Sequence, residues 1–256
     1  MKPAVEILRS MIEKGQHEID RETEGLLLSS LSAGLDIGFG PLLMGVILTL
    51  SVGSYGDLQT ELLLASAYSV GFIFVILGRS ELFTEHTTLA VMPVIDGKAT
   101  LKQLGRLWGL VYAGNILGGL IFTGLAVLLM PGLGVVSPEA FGTIASKLVS
   151  HSARWLLIAG IFAGWLMGLL AWLVSSAENT IGRVFFIWMV TATIGMLHLP
   201  HSIAGNVEVL FGLFTTSSVT LVDYLSFLSL STIGNAVGGA FFVGIMKYSH
   251  IIRGAK

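Results

Sequence analysis

The chain reads as an all-α integral membrane protein of six transmembrane helices, an inverted 3+3 repeat with spans 2 and 5 broken. Three observations predict it. Apolar residues make up 54% of the 256 positions and charged residues only 12%, against roughly a quarter charged in a soluble domain. Lipid must therefore solvate much of the surface. A motif, G-N-x-x-G-G-x-x-F-x-G, stands at 114–124 and again at 234–244, an offset of 120 positions; glycines so spaced let membrane helices approach closely. Finally, two apolar stretches are too long for one crossing and carry polar residues at their middles.

Residues 1–28 come first, polar and charged. Val5, Ile7, Leu8, Met11 and Ile12 recur at helical spacing, which predicts a surface amphipathic helix rather than a cleaved signal peptide. The channel-like domain then runs over 29–248. Its spans are 29–52, 61–95, 104–130, 153–176, 181–214 and 225–248, each long enough for about 30 Å of hydrocarbon. The halves are 29–130 and 153–248, and 249–256 form a tail. Span 2 contains Arg79-Ser80-Glu81-Leu82-Phe83-Thr84-Glu85-His86, and span 5 contains His198-Leu199-Pro200-His201-Ser202 with Asn206 beyond. Proline removes a ladder donor. Both stretches read as half-helices joined by short non-helical segments, which survive at membrane depth only where protein or a cavity satisfies them.

The offset of 120 pairs Glu81–Thr87 with His201–Val207. Three spans per half invert the second half, so the two breaks converge near the midplane. Lys2, Arg9, Lys14, Arg21, Lys98, Lys102, Arg106, Arg183, Lys247, Arg253 and Lys256 fall on the side of the termini, and only Lys147 and Arg154 on the other. By the positive-inside rule both termini are cytoplasmic. Net charge of −2 gives nucleic acid no footing, and the absence of cysteine removes disulfides, thiolate metal sites and cysteine nucleophiles. With no H-E-x-x-H or G-x-S-x-G either, neither an enzyme nor a cofactor or metal site is expected.

An internal repeat of membrane helices is the usual plan of a transport protein. Ionisable groups within spans are costly and read as functional by default. His201, at the start of a half-helix beside Ser202 and near Asn206, is the natural proton-exchanging group on a solute path. Thr84, in the matching break, could bond an anion or orient the imidazole. Lys147, in the loop between the halves, is either a solvated lysine or a mouth charge that concentrates anions. Leu82, Phe83 and Leu199 could form apolar constrictions. Arg79 with Glu81 or Glu85 has the simpler reading of an internal ion pair. Asn115 and Asn235 mark the repeat itself.

Leu82-Phe83-Thr84, Val111-Tyr112-Ala113-Gly114-Asn115, His201-Ser202-Ile203-Ala204 and Gly234-Asn235 with Gly238-Gly239 together resemble the formate/nitrite transporter family, in the family's order, on the side of its divergent inner-membrane members. The resemblance implies an aquaporin-like protomer within a homopentamer of the inner membrane, each protomer with its own pore. It also implies small monovalent anions or their weak acids as substrates (formate, nitrite, hydrosulfide or acetate), and protons as partners. His201 would act with Thr84 between two constrictions, a vestibule lysine would draw anions in, and the N-terminal segment would gate the inner mouth. The chain departs from the family pattern at Pro200, where a glutamate is usual, at Gly164, where an asparagine is usual, and at the acidic pair Glu81 and Glu85. Two other readings remain open: a pore for a neutral solute or cation with the acidic loop as selectivity ring, and a non-conducting membrane scaffold.

Overall fold

In the computed structural model, residues 2–51 and 54–254 are described, and all their regular structure is helical. Met1, Val52, Gly53, Ala255 and Lys256 lie outside the described residues, taking with them the last position of the expected first span and the last two of the expected tail.

Helix α1 (Ala4–Asp20) is longer than its apolar stripe. Its Ile7, Leu8, Met11 and Ile12 pack on Leu89, Met92, Ala171 and Trp172, and Ile251 from the chain's last helix joins them. A two-residue turn leads to α2 (Thr23–Ile37), so the first membrane helix begins ahead of residue 29. It continues after a bend at Gly38 as α3 (Phe39–Ser51). Pro41 explains the bend, because it cannot donate to the Ile37 carbonyl one turn back.

Then come α4 (Asp57–Gly78), α5 (Phe83–Leu89), α6 (Val91–Ile95) and α7 (Leu101–Leu129). A capping box between Thr100 and Gln103 starts α7. Residues 138–149, expected as loop, form α8 (Pro138–Val149), with Ser137 as N-cap and Pro138 at the first helical position. Lys147 is therefore a helix residue. The chain continues through α9 (Ala153–Ser176), α10 (Thr180–Met196), α11 (Ser202–Thr215) and α12 (Leu221–Val237). A π-helical stretch, Gly238–Ile245, leads into α13 (Met246–Gly254), so the helix runs on through most of the expected tail. Among the described residues, five helical stretches are long and apolar enough to cross a membrane, and Thr180–Met196 and Ser202–Thr215 are shorter apolar helices. Leu28, Leu50 and Leu128 are among the many large apolar side chains left exposed, as a lipid-facing surface requires.

The backbone leaves helical geometry between Gly78 and Phe83 and again between Met196 and Ser202. Each departure includes a non-glycine residue with positive φ, Arg79 (φ 58°) and His198 (φ 48°), a conformation that persists only where surroundings enforce it. The two asparagines of the repeat hold the backbone that follows. Asn115 Nδ2 donates to the carbonyls of Ser30 and Glu81, both at 2.8 Å, and its Oδ1 accepts from the Phe83 amide at 2.9 Å. Asn235 Nδ2 donates to the carbonyls of Gly160 at 2.8 Å and Pro200 at 2.9 Å, while its Oδ1 accepts from the Ser202 amide at 2.8 Å. Each asparagine thus ties one break to a neighbouring span.

These bonds correct the pairing of the halves. Phe83 precedes Asn115 by 32 positions and Ser202 precedes Asn235 by 33. The breaks therefore correspond at an offset of 119, and Leu82, not Glu81, is the counterpart of His201; each is the N-cap of its short helix. The close packing of α2 on α7 and α9 on α12 also repeats. A side chain at Gly34 would strike the Asn115 carbonyl, and one at Gly164 the Asn235 carbonyl. That contact accounts for glycine at 164, where an asparagine side chain would have no room.

Asn115→Ala or Asn235→Ala would leave one carbonyl and one amide of a buried break without their partner, at about 1–3 kcal/mol per stranded group, and would cut the bond to the neighbouring helix. Either should lower the unfolding midpoint of the purified protein in a denaturing-detergent titration. Asn115→Asp should be no better, since a carboxylate has no N–H to give. A midpoint equal to that of the natural chain would reject this role.

Candidate functional site

His201 and Thr84 meet at the junction of the two breaks, His201 Nε2 lying 2.8 Å from Thr84 Oγ1. Both are buried, with Thr84 0% and His201 1% exposed. The other ring nitrogen is engaged, because the Ala204 amide donates to His201 Nδ1 at 3.1 Å, capping α11 with the imidazole itself. A backbone N–H can only donate, so Nδ1 presents a lone pair and the neutral ring carries its proton on Nε2, directed at Thr84 Oγ1. The Thr84 hydroxyl accepts that bond and keeps its own proton for another acceptor. Ser202 Oγ, on the next residue, is buried with no hydrogen-bond partner.

Helix α4 orders what lies on either side. Leu64 and Tyr68 line one cavity, Ile76 and Leu77 line another, and Phe72 stands between them. At about 1.5 Å per residue, Phe72 is some 6 Å along the axis from Tyr68 and from Ile76. The Phe72 ring, 0% exposed, meets the His201 ring edge-on at 5.0 Å. The histidine–threonine pair therefore sits between two cavities with an aromatic ring beside it, a residue the sequence reading missed because Phe72 lies within an unbroken apolar run.

The cavity on the side of the chain termini measures about 670 Å³ and is lined by charged groups of α1 and of the first break. Lys14 Nζ lies 2.7 Å from Glu85 Oε1. Arg21 Nη1 bridges Glu18 Oε2 at 2.7 Å and Glu81 Oε1 at 2.8 Å, and Glu81 Oε2 meets His86 Nε2 at 2.6 Å. The expected ion pair of Arg79 with Glu81 or Glu85 does not form. The carboxylates are taken by Lys14 of α1 and by Arg21, its C-cap, and Arg79, whose side chain leaves a left-handed backbone, has no ion pair among the described residues. The Glu85 carboxylate raises the Lys14 ammonium above the usual lysine range, and the Glu18 hydrogen bond raises the Arg21 guanidinium. Both bases thus stay charged throughout the neutral range.

The second cavity is small, about 20 Å³, room for roughly one water. Lys147, His198, Leu199, Glu208 and Tyr68 line it, with aliphatic side chains around them. Lys147 Nζ is bonded to Glu61 Oε1, and His198 Nε2 lies 3.3 Å from Glu61 Oε2. Leu199 thus borders this cavity. Leu82, 0% exposed, caps α5, and the Phe83 ring packs edge-on against Tyr112 at 5.1 Å and Trp108 at 5.8 Å. Asn206 Oδ1 accepts from Tyr224 Oη at 2.8 Å, and its Nδ2 is buried without a partner. Glu61, Glu208 and Arg21 were not singled out from sequence. Glu208 was findable, as a lone acid inside an apolar stretch.

The sequence profile described as formate/nitrite transporter matches residues 5–249. Inner membrane protein YfdC of Escherichia coli (strain K12) is 31% identical over 255 residues, covering 97% of this chain and 79% of that protein. A solved structure described as an FNT family ion channel superposes with a TM-score of 0.81 at 22% identity, over 96% of this chain and 98% of the other. A pentameric formate channel with formate bound superposes with a TM-score of 0.77 at 24% identity, over 90% and 98%. At such identities the superpositions carry the fold alone, an all-helical membrane-type fold. With the profile spanning nearly its whole length, the chain belongs to the formate/nitrite transporter family.

Proposed function

We propose that the chain is a transmembrane channel or proton-linked transporter for a small monovalent anion or its weak acid, of the formate, nitrite, hydrosulfide or acetate type. The observation that carries this reading is the buried His201–Thr84 pair between two cavities. In this reading α4 with α5 and α10 with α11 are the broken spans 2 and 5 of an inverted six-span repeat. The terminus-side cavity is then the inner, cytoplasmic mouth and the Lys147 cavity the outer one. Membership of the family and the likeness in fold to a pentameric formate channel support a homopentamer.

The path runs from the outer cavity past Phe72 to His201 and Thr84, then past Leu82 to the inner mouth. The Thr84 hydroxyl and the unpartnered Ser202 hydroxyl are the neutral donors available to a solute at the centre. Neutral donors suit a solute that travels with a proton, because a buried ion needs compensation. The rival pore for cations would need Glu81 and Glu85 as its selectivity ring. Their pairing with Arg21 and Lys14 argues against it, since the inner mouth, with Lys2, Arg79 and Arg183 also on its wall, presents no excess of negative charge.

His201→Ala removes the central ring and the cap of α11 together. Uptake of formate, nitrite or acetate into liposomes should fall at least about tenfold, equivalent to about 1.4 kcal/mol of barrier, and its dependence on pH between 5 and 8 should change. Equal uptake and an equal pH profile would reject the histidine's role. Lys14→Ala with Arg21→Ala deprives three carboxylates at the inner mouth, Glu18, Glu81 and Glu85, of a basic partner. Reversal potentials under a salt gradient should shift toward cation permeation, and an unchanged potential would show that these pairs do not set selectivity.

A further inference from the structure

Glu208 is the charged group that the histidine–threonine pair does not use. It is 5% exposed and lines the outer cavity, yet its carboxyl makes no hydrogen bond or ion pair among the described residues. Every other charged group there has a partner. Lys147 on α8 and His198 before α11 both converge on Glu61 of α4. Tyr68 of α4 faces Glu208 across the cavity. From α12, Tyr224 reaches α11 at Asn206 rather than at Glu208. The lining from α3 and α10, Met44, Leu48 and Ile194 with Gly195, brings no charge.

Along α11, Glu208 follows His201 by seven residues, two turns on the same helix face and about 10 Å away. Phe72 and Tyr68, ring centroids 5.1 Å apart, stand beside that interval, Phe72 against the imidazole. Acid and histidine therefore occupy successive stations on one helix, one in the outer cavity and one beyond the aromatic ring.

We propose that Glu208 makes the outer cavity, which must widen beyond its one-water volume to admit a solute, a joint subsite for one small anion and one proton, its carboxyl donating a hydrogen bond to the anion when protonated. This rests on the anion reading above. As a carboxylate, Glu208 would stand without a counter-charge against aliphatic walls, because Lys147 is already matched by Glu61. An anion entering beside it would add a second unmatched charge. A proton on Glu208 removes the carboxylate's charge and its repulsion of the anion, leaving a single charge, and turns a repelling acceptor into a donor to it. Proton and anion then each favour the other's presence by the same factor. No covalent step is involved: the proton is taken from the outer solution, and it either stays on the carboxyl or leaves with the solute as the neutral acid, the carboxylate being reprotonated from outside.

The test uses the full chain in liposomes, with nitrite, formate and acetate uptake measured at pH 5, 6, 7 and 8 against protein-free vesicles. Uptake by the natural chain should fall with rising pH, by at most about tenfold per unit for one coupled proton. Glu208→Gln is neutral and keeps N–H donors at every pH, so its uptake should hold within about twofold across the range, whereas a merely structural role would scale uptake without altering the slope. Glu208→Asp should keep the slope, which separates titration from misfolding of the glutamine variant. A glutamine variant with the natural slope would overturn the proposal, as would reversal potentials showing that the natural chain conducts monovalent cations and that Glu208→Gln abolishes this. No uptake of any of the three anions by the natural chain at any pH would overturn the anion reading itself, and this proposal with it.

Discussion

Everything at the centre of this protein depends on satisfying buried backbone that has left the helix. Hydrocarbon tolerates such backbone only if protein takes up its amides and carbonyls. Asn115 and Asn235 do so with the same three bonds each, two donated and one accepted. An asparagine amide offers two N–H donors and a carbonyl acceptor from a single short stem, which a hydroxyl cannot. The neighbouring glycines of α2 and α9 let the spans come close enough for those bonds. A threonine and a histidine from opposite halves can then meet at 2.8 Å.

Much of this was legible in the amino-acid order, for reasons that differ by feature. Composition and the length of the apolar runs speak directly to the lipid-facing surface, and the motif at 114 and 234 identified the asparagines before their bonds were known. Pro200 and the cluster of polar residues at 79–86 located the interruptions. What stayed hidden was long-range or of single-residue register. The partners of Glu81 and Glu85 come from α1, 60 and 71 positions away, and no local pattern points across such a gap. Helix α8 was taken for a loop, though Ser137-Pro138 and the apolar stripe after it are a helix start with an amphipathic face. The extra residue between Ser202 and Asn235 shifted the correspondence of the halves by one, which a fixed offset could not reveal.

The two carboxylates of the first break are answered by α1 and the residue that caps it. The apolar face of α1 seats the helix on Leu89, Met92, Ala171 and Trp172, and Lys14 and the C-cap Arg21 then reach the carboxylates. Hydrophobic burial supplies the affinity and charge the alignment. The cavity beside Lys147 works the other way. There Lys147 is matched by Glu61, and Glu208 is left over.

The one-residue shift between the halves has a consequence of its own. Where the second half presents the imidazole of His201, the equivalent place in the first half is filled by Leu82, a hydrocarbon side chain with 0% exposure. On the path proposed above, a solute entering beside Lys147 would meet the ring before the leucine, and one entering beside α1 would meet them in reverse. Such a path would have a built-in sense of direction, the physical basis on which unequal conductance in the two directions can arise.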